Sequence, residues 1–179
     1  MKKLLIVVDY QNDFVTGSLG FEAAKALEQP IAKQVETALA QGWKVIFTQD
    51  THAKDYFSTR EGQFLPIEHC IEQTDGWNLY GKLREYQNNP PANVYFLNKP
   101  TFGCAKLPDF VRNLFDGEPD EIALCGIVTN ICVVSNAILM HSHFLSSKIS
   151  ILGSLCAAPN PQDHTNTLAL LSGMGYTII

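Results

Sequence analysis

The chain has 179 residues, of which 46% are hydrophobic and 17% are charged, a balance typical of a folded globular protein rather than a disordered one. This length fits a single domain over residues 1–179, and the net charge of -5 excludes the broad basic surface that binds nucleic acid or anionic membranes. No apolar run approaches the length of a membrane span, and the N-terminal apolar stretch is too short for a signal peptide.

The first half of the chain predicts a strand, a helix and a second strand. An apolar strand at 3–8 is followed by helical spacing of apolar residues over 23–41 and by a strand at 43–47. Regular patterns then stop over about 50–92, apart from a short helix at 78–86. We expect this long insertion to be functional, because long irregular segments within compact domains usually are.

Strands and helices alternate again in the second half. The predicted strands are at 93–97, 121–125, 148–152 and 176–179, and the predicted helices are at 107–115, 131–143 and 161–172. Strands that alternate with helices indicate an α/β fold. We therefore expect a three-layer sandwich with a central, mostly parallel six-stranded sheet and helices on both faces.

Three residues with complementary chemistry follow predicted strands. Asp9 follows the first predicted strand, Lys99 follows the third, and Cys132 follows a strand at the start of a helix. The carboxyl ends of parallel strands meet along one edge of a sheet, so a base, a cation and a nucleophile meet there. Each also has a simpler interpretation: a helix cap for Asp9, a surface lysine for Lys99, and a small packing residue for Cys132.

A second group of residues has the chemistry of a metal site. Asp50 and His52 follow the second strand, and His69 lies in the same insertion. Carboxylate and imidazole ligands suit Zn²⁺, Mn²⁺ or Fe²⁺. The alternative is a set of polar turn residues and solvated histidines.

Five short motifs resemble the isochorismatase-like cysteine hydrolases, with nicotinamidases as the closest branch. They are DYQNDF at 9–14, TQDTH at 48–52, LPIEHC at 65–70, KPTFG at 99–103 and GIVTNIC at 126–132. The resemblance covers almost the whole chain in the family's order. It implies an amidase that converts a small carboxamide to an acid and ammonia.

The resemblance also implies a mechanism. Cys132 attacks the amide carbonyl to form a thioester, Asp9 moves the proton, and Lys99 completes the triad. The backbone N–H groups of Val128 and Cys132 match the family's oxyanion hole. A cis peptide bond is expected between Ile127 and Val128.

The nicotinamidase branch implies a divalent metal, Zn²⁺ with Mn²⁺ or Fe²⁺ as alternatives, that polarises the substrate's ring nitrogen. Asp50, His52 and His69 match its ligands, and Glu61 falls at the fourth ligand, one residue further from His69 than in the family pattern. Phe14 matches an aromatic that stacks on the substrate. Leu65 stands where the family has the opposing tryptophan, which puts nicotinamide itself in question.

Two other functions stay open: a metal-free hydrolase of N-carbamoyl or ureido compounds, and a catalytically silent binding or assembly protein. Isochorismatases that cleave a vinyl ether lack a cysteine nucleophile, so Cys132 argues against that activity.

Compartment and assembly are also predicted. The odd number of cysteines, none in CxxC spacing, favours reduced thiols and a cytoplasmic location over disulfides. We expect a small-molecule amide substrate, no nucleic-acid or membrane partner, and a homo-oligomer.

Overall fold

A sheet of six parallel strands forms the centre of the computed structural model, which describes residues 1–179. The strand order is β3-β2-β1-β4-β5-β6. The strands are β1 (Lys3–Val8), β2 (Lys44–Asp50), β3 (Val94–Lys99), β4 (Glu121–Ile127), β5 (Lys148–Ala157) and β6 (Thr177–Ile178). Strand β1 is central and apolar, and its five residues from Leu4 to Val8 have no exposed surface.

Eight α-helices surround the sheet, and together they confirm the predicted three-layer α/β arrangement. They are α1 (Asn12–Val15), α2 (Glu22–Lys25), α3 (Glu28–Ala40), α4 (Arg60–Phe64), α5 (Arg84–Asn88), α6 (Leu107–Phe115), α7 (Val134–His143) and α8 (Pro161–Gly173). One cluster of 44 buried hydrophobic residues joins sheet and helices into a continuous core. None of the helices has the length and apolar character needed to cross a membrane.

The helix predicted over 23–41 is divided into α2 and α3. Pro30 explains the interruption: it has no N–H to donate, and within a continuous helix its ring would collide with the carbonyl of Ala26. In the observed arrangement Pro30 lies in the first turn of α3, where N–H groups have no partner within the helix anyway.

The insertion after β2 is built from short turns of helix. Besides α4 and α5 it contains 3₁₀ turns at Tyr56–Ser58 and Gly81–Leu83. Two isolated bridges order it: His52 pairs with Ile71 within the insertion, and Gln11 pairs with Leu79 and so attaches the insertion to the segment after β1. These bridges hold the irregular segment across the carboxyl ends of β1 and β2.

The helix predicted over 131–143 begins with a π-helical segment rather than with a regular α-helical turn. A π-helical segment, Thr129–Val133, precedes α7. π-Helical turns are rare and often occur at functional sites. This one carries Cys132.

Candidate active site

The strand order brings four of the predicted site residues to one edge of the sheet. Strands β3, β2, β1 and β4 are consecutive neighbours. Lys99 and Asp50 are the last residues of β3 and β2, Asp9 follows β1, and Cys132 lies shortly after β4. The topology therefore gathers side chains that are far apart in the sequence, as expected for the carboxyl edge of a parallel sheet.

Lys99 lies at the centre of this group. Its Nζ is 2.7 Å from Asp9 Oδ2 and 3.1 Å from Asp50 Oδ1, and it donates to Cys132 Sγ at 3.6 Å. A fourth contact, to the carbonyl oxygen of Thr101 at 3.0 Å, fixes the ammonium group. Lys99 is only 1% exposed, so these charges interact with little screening by water.

Thr48 is a contact that the sequence reasoning did not single out. Its hydroxyl donates to Asp9 Oδ1 at 2.7 Å, while the other carboxylate oxygen faces Lys99. The sequence offered one signal for Thr48, its place at the start of the TQDTH motif. In the structure Thr48 is fully buried on β2. The two contacts together fix the plane of the Asp9 carboxylate.

Burial has the largest effect on the pKa values of the Cys132 thiol and the Asp9 carboxyl group. It raises the pKa of the Cys132 thiol well above its ordinary value, although the nearby Lys99 acts in the opposite direction. Burial also raises the pKa of Asp9, against the influence of Lys99. A raised thiol pKa favours the protonated thiol, so a base beside Cys132 would assist the formation of a thiolate.

The turn that carries Cys132 has an unusual backbone conformation. The peptide bond between Ile127 and Val128 is cis, as the resemblance implies. The carbonyl of Val128 accepts hydrogen bonds from the N–H groups of Ile131 and Val133, each at 3.1 Å. These two hydrogen bonds fix the start of the turn that carries Cys132.

The four predicted metal ligands also come together. One ligand atom from each of Asp50, His52, Glu61 and His69 lies within 4.8 Å of the others. Asp50 Oδ2 is 3.0 Å from His52 Nε2 and 3.3 Å from His69 Nε2, and His52 Nε2 is 3.5 Å from Glu61 Oε1. The extra residue between Glu61 and His69 thus does not prevent Glu61 from joining the group.

The hydrogen bonding of this group fits a cation. Glu61 Oε1 is buried without a hydrogen-bond partner, an unsatisfied acceptor of the kind that a metal ion would bind. His69 Nδ1 lies 2.7 Å from the carbonyl of Ile67, which places the proton on Nδ1 and turns the Nε2 lone pair toward Asp50. His69 Nε2 and Asp50 Oδ2 need a positive charge between them, either a metal ion or a proton on Nε2.

The pKa directions agree with such a need. Burial disfavours a charged carboxylate, yet Lys99 and the two histidines hold the pKa of Asp50 well below its usual range. Burial and the charge of Asp50 raise the pKa of Glu61. Burial alone would lower the pKa of His69, but hydrogen bonds to Asp50 and Ile67 raise it.

A cavity of about 910 Å³ opens beside these groups, within the size range of small-molecule sites. It lies between α4 and the loop after β3, and its lining residues include Glu61, Phe64 and Thr101. Leu65 does not line it: Leu65 caps the end of α4, and its carbonyl accepts from the Tyr56 hydroxyl at 2.9 Å. The exposed aromatic side chain at the cavity is the neighbouring Phe64.

Phe14, the other predicted substrate contact, is also not among the residues that line this cavity. Its side chain is 5% exposed, and its ring centroid lies 5.3 Å from that of His69. Phe14 therefore contacts the metal cluster from the side of α1.

The sequence of residues 3–179 matches the family model described as the isochorismatase domain. The chain belongs to this family. It is a hydrolase of the nicotinamidase-related branch, as the sequence motifs predicted.

Three similar proteins illustrate this relationship. The isochorismatase family protein PncA of Bacillus subtilis is 32% identical over 146 residues, which cover 77% of this chain and 78% of that protein. The pyrazinamidase/nicotinamidase of Streptococcus mutans superposes with a TM-score of 0.89 at 30% identity, over 99% of this chain and 100% of that one. The pyrazinamidase of Pyrococcus horikoshii, solved in complex with zinc, has a TM-score of 0.84 at 21% identity and covers 100% and 99% of the two chains.

Proposed function

We propose that this family member is a cysteine-dependent amidohydrolase that converts a small, nicotinamide-like carboxamide to its acid and ammonia through a thioester. The observation that carries the proposal is the position of Lys99 Nζ, 2.7 Å from a carboxylate oxygen of Asp9 and 3.6 Å from the sulfur of Cys132. A base, a cation and a thiol in mutual contact are the components of nucleophilic catalysis by cysteine.

The first half of the reaction forms the thioester. Asp9 takes the thiol proton, and Cys132 Sγ forms a bond to the carbonyl carbon. The oxyanion accepts hydrogen bonds from the N–H groups of Val128 and Cys132, and loss of one such donor typically raises the barrier by about 2.7–4 kcal/mol. Collapse of the intermediate breaks the C–N bond, and Asp9 gives its proton to the departing nitrogen, so that ammonia leaves.

The second half returns the enzyme to its starting state. Asp9, again a carboxylate, takes a proton from water, and the hydroxyl oxygen attacks the thioester carbon. The C–S bond breaks, the acid is released, and Cys132 recovers its proton. Lys99 stays protonated throughout, because burial would lower its pKa but contacts with Asp9, Cys132 and Asp50 raise it well above the ordinary value.

Asp50, His52, Glu61 and His69 would hold a divalent metal such as Zn²⁺. Bound there, it supplies a Lewis-acid contact for a ring nitrogen of the substrate. The fit of these four side chains supports this proposal, as does the zinc in the related pyrazinamidase. Phe14 would contact the substrate from the side of His69, and Leu65 would act only indirectly, through its hydrogen bond to Tyr56.

The proposed location is the cytoplasm, because all five cysteines are free and buried, as in a reducing compartment.

A screen for ammonia release tests the activity. Purified protein with Zn²⁺ is offered nicotinamide, pyrazinamide and N-carbamoyl amino acids, and we expect turnover of the aromatic amides. Elemental analysis after purification without chelator should find about one divalent transition metal per chain. Turnover of only the N-carbamoyl compounds by metal-free protein would instead establish the metal-free alternative, and no turnover of any amide would favour a binding protein.

A further inference from the structure

Gln11 holds the backbone of Asp50 from both sides. Its Oε1 accepts from the N–H of Asp50 at 2.7 Å, and its Nε2 donates to the carbonyl of Asp50 at 2.9 Å. The same Nε2 donates to the carbonyl of Trp77 at 2.8 Å, which links Asp50 to the insertion. Gln11 is fully buried, so none of these contacts is exchanged with solvent.

These hydrogen bonds matter because the Asp50 carboxylate contacts both the Lys99 ammonium group and the two histidines. Its Oδ1 lies 3.1 Å from Lys99 Nζ, and its Oδ2 faces His52 and His69. A rotation of the Asp50 backbone would move both oxygens at once. Gln11 touches neither the thiol nor the ligand atoms, yet it determines the direction of a ligand.

Asp13 performs a similar role for the histidines. Its Oδ2 accepts from the N–H of Cys70 at 2.7 Å, and the carbonyl of Cys70 accepts from the N–H of His52 at 3.0 Å. Cys70 directly follows His69, so one carboxylate fixes the backbone on which both histidines depend. Gly76 packs against it so closely that a Cβ there would lie 2.0 Å from Asp13 Oδ2.

We propose that Gln11 and Asp13 are positioning residues that set the metal affinity of the cluster formed by Asp50, His52, Glu61 and His69. This inference rests on the metal centre of the proposed function. Partners that orient metal ligands typically account for about 10–100-fold in affinity. The expected loss is of that size for each residue.

The experiment measures Zn²⁺ affinity by competition with a chromophoric chelator in Gln11→Ala and Asp13→Ala. Asn12→Ala is the matched control: Asn12 lies between them, but its side chain donates to the carbonyl of Asp75 at 2.8 Å and not to a ligand residue. We expect affinity to fall about 10–100-fold in the two test variants and to stay unchanged in the control. The visible absorption of bound Co²⁺ should shift only in the test variants.

Two milder variants keep the result interpretable if alanine prevents folding. Gln11→Glu retains the acceptor for the Asp50 N–H but loses both donated bonds, and Asp13→Asn retains an acceptor oxygen. Both should have intermediate affinities. Variants that bind Zn²⁺ as tightly as the parent, or a control that loses as much affinity as they do, would overturn the positioning role alone. A parent protein that binds no Zn²⁺ would overturn the metal centre together with it.

Discussion

At the scale of single residues, Cys132 differs from the other four cysteines in its charge environment. All five thiols are buried, and burial raises the pKa of each of them. Cys132 is the one that receives a hydrogen bond from an ammonium group, that of Lys99. This contact, rather than exposure, distinguishes the proposed nucleophile from packing residues.

Cys132→Ala should abolish amide hydrolysis, with a loss of more than about 1,000-fold, because no other group in contact with Asp9 and Lys99 forms the thioester. Ammonia release measures the activity. Elemental analysis and circular dichroism should show unchanged metal content and folding, since the thiol is not among the ligand residues. If the variant kept a substantial fraction of the parent rate, the metal centre would have to activate water directly.

Lys99→Ala should slow the alkylation of Cys132 by iodoacetamide, because the positive charge that favours the thiolate is removed. The parent rate should rise about tenfold per pH unit between about pH 7 and 9, since a thiol with a raised pKa is still mostly protonated there. Mass spectrometry of the labelled peptides gives the rates. The exposed Lys106→Ala serves as control, and equal labelling of Cys132 in both variants would show that Lys99 does not influence the thiol.

Much of the arrangement of this site was predictable from residues that lie at the carboxyl ends of strands or shortly after them. Asp9, Lys99 and Cys132 are recognisable because parallel strands direct their carboxyl ends to one edge. The cavity wall was not predictable in the same way: Leu65 was chosen from its place in a motif, but the short helix α4 turns Phe64 toward the cavity. The direction of a side chain in a loop depends on tertiary contacts, here the hydrogen bond from Tyr56 to the carbonyl of Leu65.

At the scale of elements, the parallel pairing of β1 with β4 depends on Gly126, which lies opposite Val8. This residue has a φ of +114°, and a Cβ there would lie 2.1 Å from the carbonyl oxygen of Val8. Val8 is the residue before Asp9, so the close approach of the two strands helps to place Asp9 near the turn that carries Cys132.

Gly126→Ala should therefore destabilise the fold by at least about 2 kcal/mol, because the methyl group collides with backbone that cannot rotate away. Urea denaturation gives the free energy of unfolding. Gly173→Ala is the matched control: it ends α8, nothing lies within 4 Å of a Cβ there, and its effect should stay within about 1 kcal/mol. Similar stabilities for the two variants would contradict the importance of this close approach between β1 and β4.

The lengths of elements were harder to predict than their existence. Strand β5 continues to Ala157, five residues beyond the predicted end, because pairing with β4 resumes at Cys156 and Ala157 after an irregularity. Gly153 and Ser154 suggest a turn when only local propensity is considered. Pairing with neighbouring strands overrides that propensity, and such pairing is not visible in a local pattern.

At the scale of the whole molecule, the insertion exposes apolar side chains. Phe57, Phe64 and Ile67 are 50%, 76% and 40% exposed. We predict that this surface contributes to a homo-oligomer, and light scattering should give a mass above the 19.9 kDa of one chain. Phe57→Ser should lower the measured mass. A 19.9 kDa particle at micromolar concentration would contradict the prediction.

The shared carboxylate of Asp50 has a consequence for electroneutrality. Asp9, Asp50 and Glu61 bring three negative charges into one poorly hydrated region when they are ionised, and Lys99 supplies one positive charge. A dication balances the remaining two, whereas a monovalent ion leaves an excess and a trivalent ion reverses it. Charge compensation of this kind would restrict a metal ion at the proposed centre by valence, before ligand geometry selects among the divalent metals.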